Sequence, residues 1–466
     1  MAAPYDACIV GSGFAGSLLG WILSHYGWRV AIVDRGQHPR FAIGESSTPL
    51  ADFLLEQLAD EHALPNLRPL SRWGSWQQHL PQLRAGKKRG FSYFAQSPGK
   101  PFAESEHHEH SWLVAASSDD PRSDTHWMRA DVDQWLCEQA QAAGAQLFSN
   151  HMLSHILASQ SDRLWQLQLS PAPENQRHQQ QSRGVDAASV PIAARFLIDA
   201  SGGGGVLGRH LQLPNLDEQL LVRSATLYGH FRNVQSMQQW QSTHGLPIDD
   251  DPFNPDDAAQ HHLLRHGWCW MLRFSEGTTS VGLVSPQLST PELAAPAERW
   301  RRWSKYLDAY PILKDLLIDA QLVAPESNTL GWSPRISRLW SQAAGVTSSG
   351  LPWAMLPGTV GIVDPLHSTG IAHGVWGVRE LSRVMLAGNT SAAWQPDDPR
   401  GAAGRSALAE YSRRAVAEVL WIDRIVAAAY ASLDYFPLFQ AACGLYFVAA
   451  IHNERHLAEY QQLPCG

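Results

Sequence analysis

The sequence predicts an α/β fold that opens with a βαβ unit, continues through a mixed β region and ends in helices. Three patterns in its 466 residues carry this prediction. A glycine-rich turn joins a short apolar run to a helical one near the N-terminus, and β-branched and aromatic runs alternate with turns in the middle of the chain. From Gly401 onward, Ala, Leu and Tyr recur at helical spacing. The length allows two or three domains.

The N-terminal unit consists of a strand, a glycine turn, a helix and a second strand. Residues 7–10 are apolar and predict a strand, and Gly-Ser-Gly-Phe-Ala-Gly follows at residues 11–16. Residues 17–26 have helical composition and are followed by Gly27, and residues 30–33 predict a second strand. Together they predict a βαβ unit whose turn can approach a phosphate group.

Each glycine of this turn has a physical role in binding a dinucleotide. Gly11 makes the tight turn, Gly13 lets pyrophosphate approach the backbone, and Gly16 lets the helix pack against the strand. The N–H groups that open the helix point at the phosphates, and Asp34 stands about 20 residues on, where a carboxylate binds ribose. We therefore predict a dinucleotide site, with a tight turn that binds nothing as the alternative. Its residues are Gly11, Gly13, Phe14, Ala15, Gly16, Asp34 and Arg35.

Two later segments favour FAD over NAD as the bound dinucleotide. Residues 194–200 predict a buried strand that contains Asp199 and leads to Gly202. Residues 363–371, Val-Asp-Pro-Leu-His-Ser-Thr-Gly-Ile, precede another helical stretch. Both segments resemble those with which large FAD proteins close over the flavin. Arg129 begins a further predicted helix and is either a cofactor contact or a surface arginine.

The middle of the chain predicts strands and a hairpin. Residues 165–169 alternate apolar and polar side chains, as a half-buried strand does. Residues 268–274 and 278–284 predict the two strands of a hairpin, with Glu276 and Gly277 at its turn. The polar stretch 171–189 predicts a hairpin insertion or a mobile loop.

Composition and charge argue against several classes of function. The net charge is −8 and the pI is about 6.2, so no basic excess is present to bind nucleic acid. Five cysteines without a C-x-x-C pair predict neither a disulfide framework nor a zinc site, and they favour a cytoplasmic location. The N-terminus has no basic region that would mark a signal peptide, and the longest apolar run, 441–451, is too short for a transmembrane segment.

One stretch, residues 104–110, is rich in metal-ligating residue types, with the sequence Glu-Ser-Glu-His-His-Glu-His. Consecutive residues rarely all point at one ion. We therefore predict a solvated loop there and no metal site.

Four motifs follow one another along the chain. They are the N-terminal glycine turn, Gly44-Glu45-Ser46, Trp268-x-Trp270, and Asp364-Pro365-Leu366-x-Ser368-Thr369-Gly370-Ile371. From residue 5 to about residue 385, their order and spacing resemble the flavin-dependent halogenases, the tryptophan-halogenase-like branch of FAD-dependent oxidoreductases. The resemblance implies a glutathione-reductase-like FAD-binding fold with an interleaved mixed-β substrate cap and a C-terminal helical region. The implied boundaries are 1–68, 101–214 and 326–390 for the FAD module, 69–100 and 215–325 for the cap, and 391–466 for the helical region.

The resemblance also implies roles for individual residues. Glu45 and Ser46 contact the flavin ring. Backbone N–H groups of Ser368, Thr369 and Gly370 hold a halide ion beside it, with flavin contact alone as the alternative. The further implied FAD contacts are Arg129, Asp199, Gly202, Asp364, Pro365, Gly370 and Ile371, and the implied substrate lining is Trp268, Trp270, Phe91 and His367.

A catalytic lysine is the family's remaining requirement. The segment Lys-Arg-Gly-Phe-Ser-Tyr at 88–93 resembles the lysine strand of the phenol-acting members, with Tyr93 where a phenylalanine usually stands. The match assigns the catalytic role to Lys88 rather than to its neighbour Lys87. There the lysine would hydrogen-bond hypohalous acid and direct it to the substrate. Two solvated lysines at a hairpin bend are the alternative.

The implied reaction is halogenation of an electron-rich aromatic of phenol, pyrrole or indole type, with reduced FAD, O2 and chloride or bromide. No second dinucleotide motif occurs in the sequence, so a separate flavin reductase should supply the reduced FAD. The small substrate is either free or bound to a carrier protein, and the chain is a monomer or a homodimer. The alternatives are an aromatic hydroxylase, an isoprenoid-chain reductase of the same fold, and a non-catalytic FAD-holding protein.

Three positions depart from the family pattern. Leu-Arg at 272–273 replaces the usual Ile-Pro after the tryptophan pair, and Leu-Pro-Gly at 356–358 replaces the usual Gly-Asp before the flavin-closing segment. His367 stands where the tryptophan-acting members carry glutamate, so free tryptophan is not the expected substrate.

Overall fold

The computed structural model describes residues 3–173, 189–326, 328–387 and 399–461. Most of the polar stretch 171–189, and Cys465, lie outside the described residues. Among the helices within these ranges, none has the length and hydropathy that a membrane span requires.

Strands make up much of the first three quarters of the described chain, and two long helices follow them. In chain order the strands are β1 Tyr5–Val10, β2 Val30–Val33, β3 Ala85–Lys88, β4 Gly90–Ala95, β5 Ser111–Ala115, β6 Asp124–Trp127, β7 Gln146–Phe148, β8 His151–Ser159, β9 Leu164–Pro171, β10 Val190–Asp199, β11 Ala225–Arg232, β12 Ala259–Leu264, β13 Gly267–Arg273, β14 Thr279–Ser285, β15 Gln321–Ala324, β16 Gly331–Ser333, β17 Arg338–Leu339, β18 Ala344–Val346, β19 Pro352–Met355 and β20 Gly361–Ile362. The α-helices are α1 Phe14–His25, α2 Pro49–Glu61, α3 Trp73–His79, α4 Arg129–Ala142, α5 Val206–His210, α6 Met237–Thr243, α7 Pro296–Ala309, α8 Pro311–Leu316, α9 Pro357–Val360, α10 Thr369–Leu386, α11 Pro399–Ala431 and α12 Phe436–Gln461.

The first sheet contains the N-terminal strands and has a parallel centre. Its order is β18-β19-β10-β1-β2-β7, and β10 also pairs with β9, which in turn pairs with β8. Ile9 of β1 lies between Ile198 of β10 and Ile32 of β2. Every residue of β2 is buried, as expected for a parallel strand that is covered on both faces. This sheet confirms the predicted βαβ unit and the α/β fold class.

A second, mixed sheet has the order β15-β11-β14-β13-β12-β4-β5, with β16 also paired to β11. The pair β4 and β12 is parallel, and the hairpin of β13 and β14 is antiparallel. Gly277 turns this hairpin with a φ of +87°, so the hairpin predicted around the tryptophan pair is confirmed.

The second sheet also takes up two strands that the family-based boundaries place in the FAD module. These strands are β5 and β16, and they pair with β4 and β11 of this sheet. The physical reason is backbone pairing, because β5 satisfies the N–H and C=O groups on the side of β4 that β12 does not pair. The second sheet therefore includes residues 111–115 and 331–333.

A short antiparallel pair, β3 with β6, carries the predicted catalytic lysine. Its register places Lys88 opposite Asp124 and Lys87 opposite Thr125. Successive side chains of a strand point to opposite faces, so the two lysines have different surroundings. The N–H of Ser47 donates to the carbonyl of Thr125 at 3.0 Å and attaches the Gly-Glu-Ser loop to β6.

The two long helices α11 and α12 confirm the predicted C-terminal helical region. Tyr411 of α11 donates a hydrogen bond to the backbone carbonyl of Met355, in the first sheet, at 2.9 Å. The buried carboxylate of Asp423 accepts the N–H groups of Leu221 and Val222 at 2.8 and 3.0 Å. These buried polar contacts hold α11 on the body of the protein.

Gly282→Ala should destabilise the second sheet. Gly282 lies opposite Trp270 in the hairpin, and an added Cβ would lie 2.2 Å from the indole ring. The ring is buried and donates its Nε1–H to Ser280, so it has little freedom to move. We expect the free energy of unfolding, measured by denaturant titration, to fall by about 1–3 kcal/mol.

Gly444→Ala is the control for this prediction. Gly444 lies inside α12, and an added Cβ would meet no described atom within 4 Å. Alanine should leave the stability unchanged or raise it by up to about 1 kcal/mol. Equal losses in the two variants would contradict the packing account of Gly282.

Candidate active site

In the glycine turn, close contacts within the protein require Gly11 and Gly16, whereas a Cβ on Gly13 would make only ordinary van der Waals contacts. Gly11 has a φ of +111°, and a Cβ on it would lie 2.4 Å from the carbonyl oxygen of Ala200. A Cβ on Gly16 would lie 2.2 Å from the carbonyl oxygen of Gly11. The described atoms nearest to a Cβ on Gly13 are 3.8 Å away. Gly13, at the N-terminus of α1, is therefore the glycine of this turn whose role in the prediction depends on a ligand rather than on packing within the protein.

Asp34 lies beside the turn and is held by it. Its Oδ2 accepts the N–H and the hydroxyl of Ser12, both at 2.7 Å, and its Oδ1 accepts the N–H of Gly36 at 2.8 Å. Burial raises the pKa of Asp34, but the Arg40 guanidinium and these hydrogen bonds outweigh burial and lower the pKa overall. An ionised carboxylate at this position suits the ribose role that the sequence predicts.

Arg129 lies behind the turn rather than on the surface. Its guanidinium binds both carboxylate oxygens of Asp133, at 2.8 and 3.0 Å, and donates to the carbonyls of Ile43 and Gly44, both at 2.9 Å. It also lies over the ring of Phe14, 4.8 Å from the centroid. The surface alternative is therefore excluded, and Arg129 attaches the Gly-Glu-Ser loop to α4. Among the other predicted contacts, Ala15 is half-buried and Arg35 is exposed.

Asp199 and Gly202 lie at the carboxyl end of β10, next to the turn. The buried carboxylate of Asp199 accepts the N–H groups of Ser201 and Leu207, at 2.9 and 2.7 Å. The N–H of Gly202 donates to the hydroxyl of Thr359 at 2.9 Å. These polar groups hold the shape of the segment, so any contact with FAD has to come from its remaining surface.

The Gly-Glu-Ser loop and the Ser-Thr-Gly segment are distant in sequence and meet in the structure. The hydroxyl of Ser368 donates to that of Ser46 at 3.1 Å. Ser368 has a φ of +55°, and the 18-residue helix α10 starts at the next residue. Gly370 is exposed, and an added Cβ would meet no described atom within 4 Å, whereas Ile371 is buried in the core. The free N–H groups at this helix start suit an anion.

Glu45 is buried between the loop and the second sheet. Its Oε1 lies 2.6 Å from Nε2 of His230, in β11. Its backbone carbonyl accepts the N–H of Trp127 at 2.7 Å. These two contacts attach the loop to β11 and β6.

Asp364 and Trp268 belong to one buried polar network with α11. The carboxylate of Asp364 accepts the hydroxyls of Ser224 and Tyr430, at 2.6 and 2.9 Å, and the N–H of Leu366 at 3.1 Å. The indole N–H of Trp268 donates to the Tyr430 hydroxyl at 3.1 Å. Burial raises the pKa of Asp364, and these donors oppose the rise. Asp364 therefore holds the start of the flavin-closing segment, at Pro365, by contacts within the protein.

A cavity of about 790 Å³ lies between α2, α10 and the C-terminal helices. Three predicted site residues, Phe91, His367 and Thr369, form part of its wall. Most of the remaining wall is apolar or aromatic and includes Leu54, Ala372, Trp376, Trp421, Ile422, Tyr446 and Phe447. The charged residues among its described lining are Glu418, Glu454, Arg379, Arg413, Arg414 and Arg424. An apolar wall with a few polar groups is typical of small-molecule sites.

His367 is buried in the wall of this cavity. Its ring stacks on Tyr446, with the centroids 4.4 Å apart. Neither ring nitrogen has a hydrogen-bond partner among the described residues. Burial lowers the pKa of His367 to about 4, so the ring is neutral at pH 7. A neutral imidazole with both nitrogens unpaired can donate to, and accept from, a polar group of a substrate.

Trp268 and Trp270, which the sequence predicts to line the substrate site, are not among the described residues that line this cavity. Trp268 stacks on His261 at 4.9 Å, and His261 lies 5.8 Å from Phe91. Trp270 packs over Gly282 of the neighbouring strand. Because β13 is buried on both of its faces, the tryptophans support the cavity wall from behind.

Lys88 is completely buried, whereas Lys87 is half-buried on the opposite face of β3. The Nζ of Lys88 donates to the carbonyl of Ser47, lies 3.8 Å from Oδ2 of Asp124, and lies 4.3 Å from the ring centroid of Phe91. Burial lowers the pKa of Lys88 to about 8, although nearby carboxyl groups oppose the decrease. The alternative of a solvated lysine is therefore excluded for Lys88.

Three residues of this region were missed from the sequence: Asp52, Asp124 and Glu454. Asp52 lies in the first turn of α2, where an acidic residue is common and carries no functional signal. Asp124 depends on the register of β3 with β6, and Glu454 reaches the cavity from α12. These contacts join segments that are distant in sequence, so they leave no local pattern.

Comparisons with known proteins agree with the resemblance in the motifs. No family model matches the chain. The tetracycline 7-halogenase of Kitasatospora aureofaciens is 26% identical over 459 residues, which cover 96% of this chain and 74% of that protein. The monodechloroaminopyrrolnitrin halogenase PrnC of Pseudomonas fluorescens is 22% identical over 469 residues, which cover 98% and 73%.

Solved structures are similar over nearly the whole chain. Halogenase PltM, in complex with phloroglucinol and FAD, has a TM-score of 0.81 at 26% identity, over 98% of this chain and 82% of that one. The flavin-dependent halogenase CmlS has a TM-score of 0.66 at 18% identity, over 95% and 68%, and supports the fold alone. The fold class predicted from the sequence is confirmed. In sequence and in fold, the chain is a homologue of the flavin-dependent halogenases.

Proposed function

We propose that the chain is an FAD-dependent halogenase that acts on an electron-rich aromatic substrate. The observation that carries the proposal is the position of Lys88, whose ammonium is buried between the Gly-Glu-Ser loop and a phenylalanine of the cavity wall. When bound, reduced FAD supplies, together with O2, the oxidising equivalents that convert a halide ion into hypohalous acid. Homology to proteins named as halogenases supports this reaction class.

The glycine turn and the segment at Gly370 are where FAD would bind. The opening at Gly13, at the N-terminus of α1, would hold the pyrophosphate, and Asp34 would accept the ribose hydroxyls. The flavin ring would contact Ser46 and Gly370, where the two segments meet and Gly370 borders open space. The FAD complex of the similar halogenase PltM supports FAD as the cofactor.

Of the three residues predicted to bind halide, Thr369 and Gly370 would bind it through their backbone N–H groups, because the N–H of Ser368 already donates to the carbonyl of Pro365 at 2.9 Å. The first N–H groups of a helix have no intrahelical acceptor, and the helix dipole gives this end a partial positive charge. α10 begins at Thr369, and Gly370 leaves this end of the helix open. An anion can bind there without a charged side chain.

Lys88 would hold hypohalous acid and direct its halogen to the substrate. A hydrogen bond from the ammonium to the oxygen of the acid makes the O–X bond easier to break, and burial strengthens that hydrogen bond. The electron pair of a ring carbon forms the C–X bond as the O–X bond breaks. The oxygen then leaves as water with the proton from the same ring carbon.

The cavity favours an aromatic substrate that carries a hydroxyl or N–H group. Its wall is mostly apolar and aromatic, and His367 provides unpaired ring nitrogens for one polar group. A volume of about 790 Å³ leaves room for a substituent beyond one aromatic ring. Phloroglucinol, a trihydroxybenzene, is bound in the PltM complex. The proposed class is therefore phenol, pyrrole or indole type, either free or attached to a carrier.

Gly13→Val should abolish FAD binding without unfolding the chain. The described atoms nearest to an added Cβ are 3.8 Å away, so the protein accommodates the side chain, which then fills the space for pyrophosphate. Flavin absorbance of the purified protein and calorimetric titration with FAD measure the loss. Gly444→Val, whose added Cβ would meet no described atom within 4 Å, should keep its flavin. Full flavin occupancy in Gly13→Val would remove the basis of the assignment.

NADPH alone should not reduce the bound flavin within seconds. The sequence has one dinucleotide fingerprint, and FAD would occupy it, so a separate flavin reductase should supply the reduced cofactor. Stopped-flow absorbance, with and without an added reductase, measures the reduction. Rapid bleaching by NADPH alone would favour a single-component hydroxylase.

Lys88→Ala should lower the yield of halogenated product by about 10²- to 10³-fold, while O2 consumption and release of hydrogen peroxide continue. The substitution removes the group that handles the oxidant and leaves the glycine turn intact. Lys87→Ala is the matched control, because Lys87 is ion-paired with Asp120 and Asp257 on the other face of the strand. Mass spectrometry of products from a panel of phenols and indoles, with chloride or bromide, measures the yield.

Two results would count against this assignment. An unchanged yield in Lys88→Ala, or a larger loss in Lys87→Ala, would show that the catalytic lysine is wrongly assigned. Hydroxylated product in place of halogenated product from the wild type would favour the hydroxylase alternative.

A further inference from the structure

The ammonium of Lys88 belongs to a ring of four buried polar groups. The proposed reaction assigns no role to the other three. The ammonium donates to the carbonyl of Ser47, and the hydroxyl of Ser47 donates to Oδ1 of Asp52 at 2.9 Å. The carboxyl group of Asp52 interacts with that of Asp124. The buried Oδ2 of Asp124 accepts no hydrogen bond from the described residues and lies 3.8 Å from Nζ. None of the four residues is more than 5% exposed.

Backbone geometry brings the members of this ring together. Lys88 ends β3, and Asp124 begins β6 directly opposite it. Asp52 lies in the first turn of α2, which follows the Gly-Glu-Ser loop. The loop is itself attached to β6 through the backbone of Ser47. The ring therefore depends on strand register and helix position rather than on flexible surface side chains.

The charges in the ring do not balance if both carboxyl groups are ionised. Two carboxylates and one ammonium would leave an uncompensated negative charge in the protein interior, which is costly. Two ionised carboxylates in contact also repel each other, whereas a single proton between them makes a hydrogen bond. With one shared proton, the ring as a whole is neutral.

We infer that Asp52 and Asp124 share one proton behind Lys88, and that Asp124 is a positioning residue that keeps the Lys88 ammonium protonated and directed at the oxidant. Asp52 is the neutral member, which donates its proton to Asp124. The catalytic part of this inference rests on the proposed function, and the shared proton does not.

The direction of each pKa agrees with this assignment. Burial raises the pKa of Asp52 well above its ordinary value, and Asp124 raises it further. Burial also raises the pKa of Asp124, but Lys88 and Asp52 oppose that rise. Burial lowers the pKa of Lys88 to about 8, and Asp124 is the first of the groups that oppose the decrease. Asp124, whose carboxylate lies 3.8 Å from the ammonium, is therefore the ionised member and the counterion.

Two histidines also face Lys88 and do not change its charge balance at neutral pH. They are His126 of β6 and His261 of β12, and the ammonium disfavours protonation of both. Burial is the larger cause and lowers the pKa of each to about 3. Both rings are therefore neutral above pH 5.

Two further charged groups face the carboxyl pair. Arg72 is paired with Glu56 at 2.7 Å, and its pKa is raised by that hydrogen bond, so it stays protonated. Glu454 approaches Asp124 from α12, and burial raises its pKa to about 7. Glu454 is ionised above pH 8, so Lys88 is the group of this set that titrates between pH 8 and 10.

The halogenation rate should depend on pH in a defined direction. Lys88 acts while protonated, so the halogenation rate should fall as the pH rises through about 8. Removal of the charge of Asp124 lowers the pKa of Lys88 further and moves this fall to lower pH. Asp52 is already neutral, so its replacement by asparagine changes no charge and leaves the fall in place.

The test compares Asp124→Asn with Asp52→Asn, which have nearly the same shape as the residues that they replace. Initial rates of halogenated product are measured at saturating reduced FAD across pH 6–10. Asp124→Asn should move the alkaline fall lower by about one to three pH units and affect kcat more than KM. In Asp52→Asn, the decrease in rate should occur at the same pH as in the wild type. The same is expected of Asp120→Asn, which removes a partner of Lys87. Equal shifts in Asp124→Asn and Asp52→Asn, or a shift in Asp52→Asn alone, would overturn the inference.

A second measurement does not depend on halogenation. The folded-state pKa of Lys88 is about 8, below the ordinary 10.5, so the unfolded chain binds more protons between these values. The stability of the folded chain should therefore rise as the pH increases from 8 to 10.5, relative to Lys88→Met. This gain should begin at lower pH in Asp124→Asn and at the wild-type pH in Asp52→Asn.

Denaturant titrations at a series of pH values measure that gain. A wild-type curve parallel to that of Lys88→Met would overturn the shared-proton inference. The wild type could halogenate no tested substrate and still show the rise in stability with pH, at a pH that depends on Asp124. That result would support the shared proton and contradict the proposed function.

The double variant Lys88→Met/Asp124→Asn covers the case in which Asp124→Asn does not fold. It removes both charges, so it should regain the stability that the single Asp124 variant loses. A double variant as unstable as Asp124→Asn would overturn the inference.

Discussion

The need to compensate one buried ammonium constrains how the active-site segments are placed. A lysine without partners in the protein interior costs several kcal/mol, and Lys88 is completely buried. Its compensation comes from a loop carbonyl at Ser47, a cross-strand carboxylate at Asp124 and the face of the Phe91 ring. These three groups belong to a loop, to β6 and to β4, so the loop and both strands have to meet at one point.

From that point, contacts extend to both the cofactor side and the substrate side. On the cofactor side, the Gly-Glu-Ser loop reaches the start of α10 through the hydroxyls of Ser46 and Ser368. On the substrate side, Phe91 separates the ammonium from the cavity that α10 and the C-terminal helices enclose. The network of Asp364 with Tyr430 then attaches α11 to the same segment. Lys88 therefore lies between the predicted flavin site and the cavity.

Two acidic residues that the sequence predicts to contact the cofactor form hydrogen bonds within the protein. Asp199 accepts two backbone N–H groups at the end of β10, and Asp364 accepts two hydroxyls and a backbone N–H. Each of these carboxylates stabilises a segment that lies next to the predicted flavin site. A motif therefore identifies a segment near the ligand better than it identifies the atoms that contact the ligand. The reason is that a buried acceptor is satisfied by whichever donor lies nearest.

The sequence by itself determined the features that depend on neighbouring residues. The glycine turn, the hairpin at Gly277 and the C-terminal helices follow from backbone conformation and from hydrophobic period, and each agrees with the structure. The sequence also favoured Lys88 over Lys87, which the structure places on opposite faces of β3. Only the tertiary structure decided that Arg129 is buried, that the tryptophan pair lies behind the cavity wall, and that Asp52 and Asp124 complete the ring of Lys88. The physical reason is that burial and charge compensation are set by segments far apart in the chain, whose approach depends on sheet register and helix packing and leaves no local pattern in the sequence.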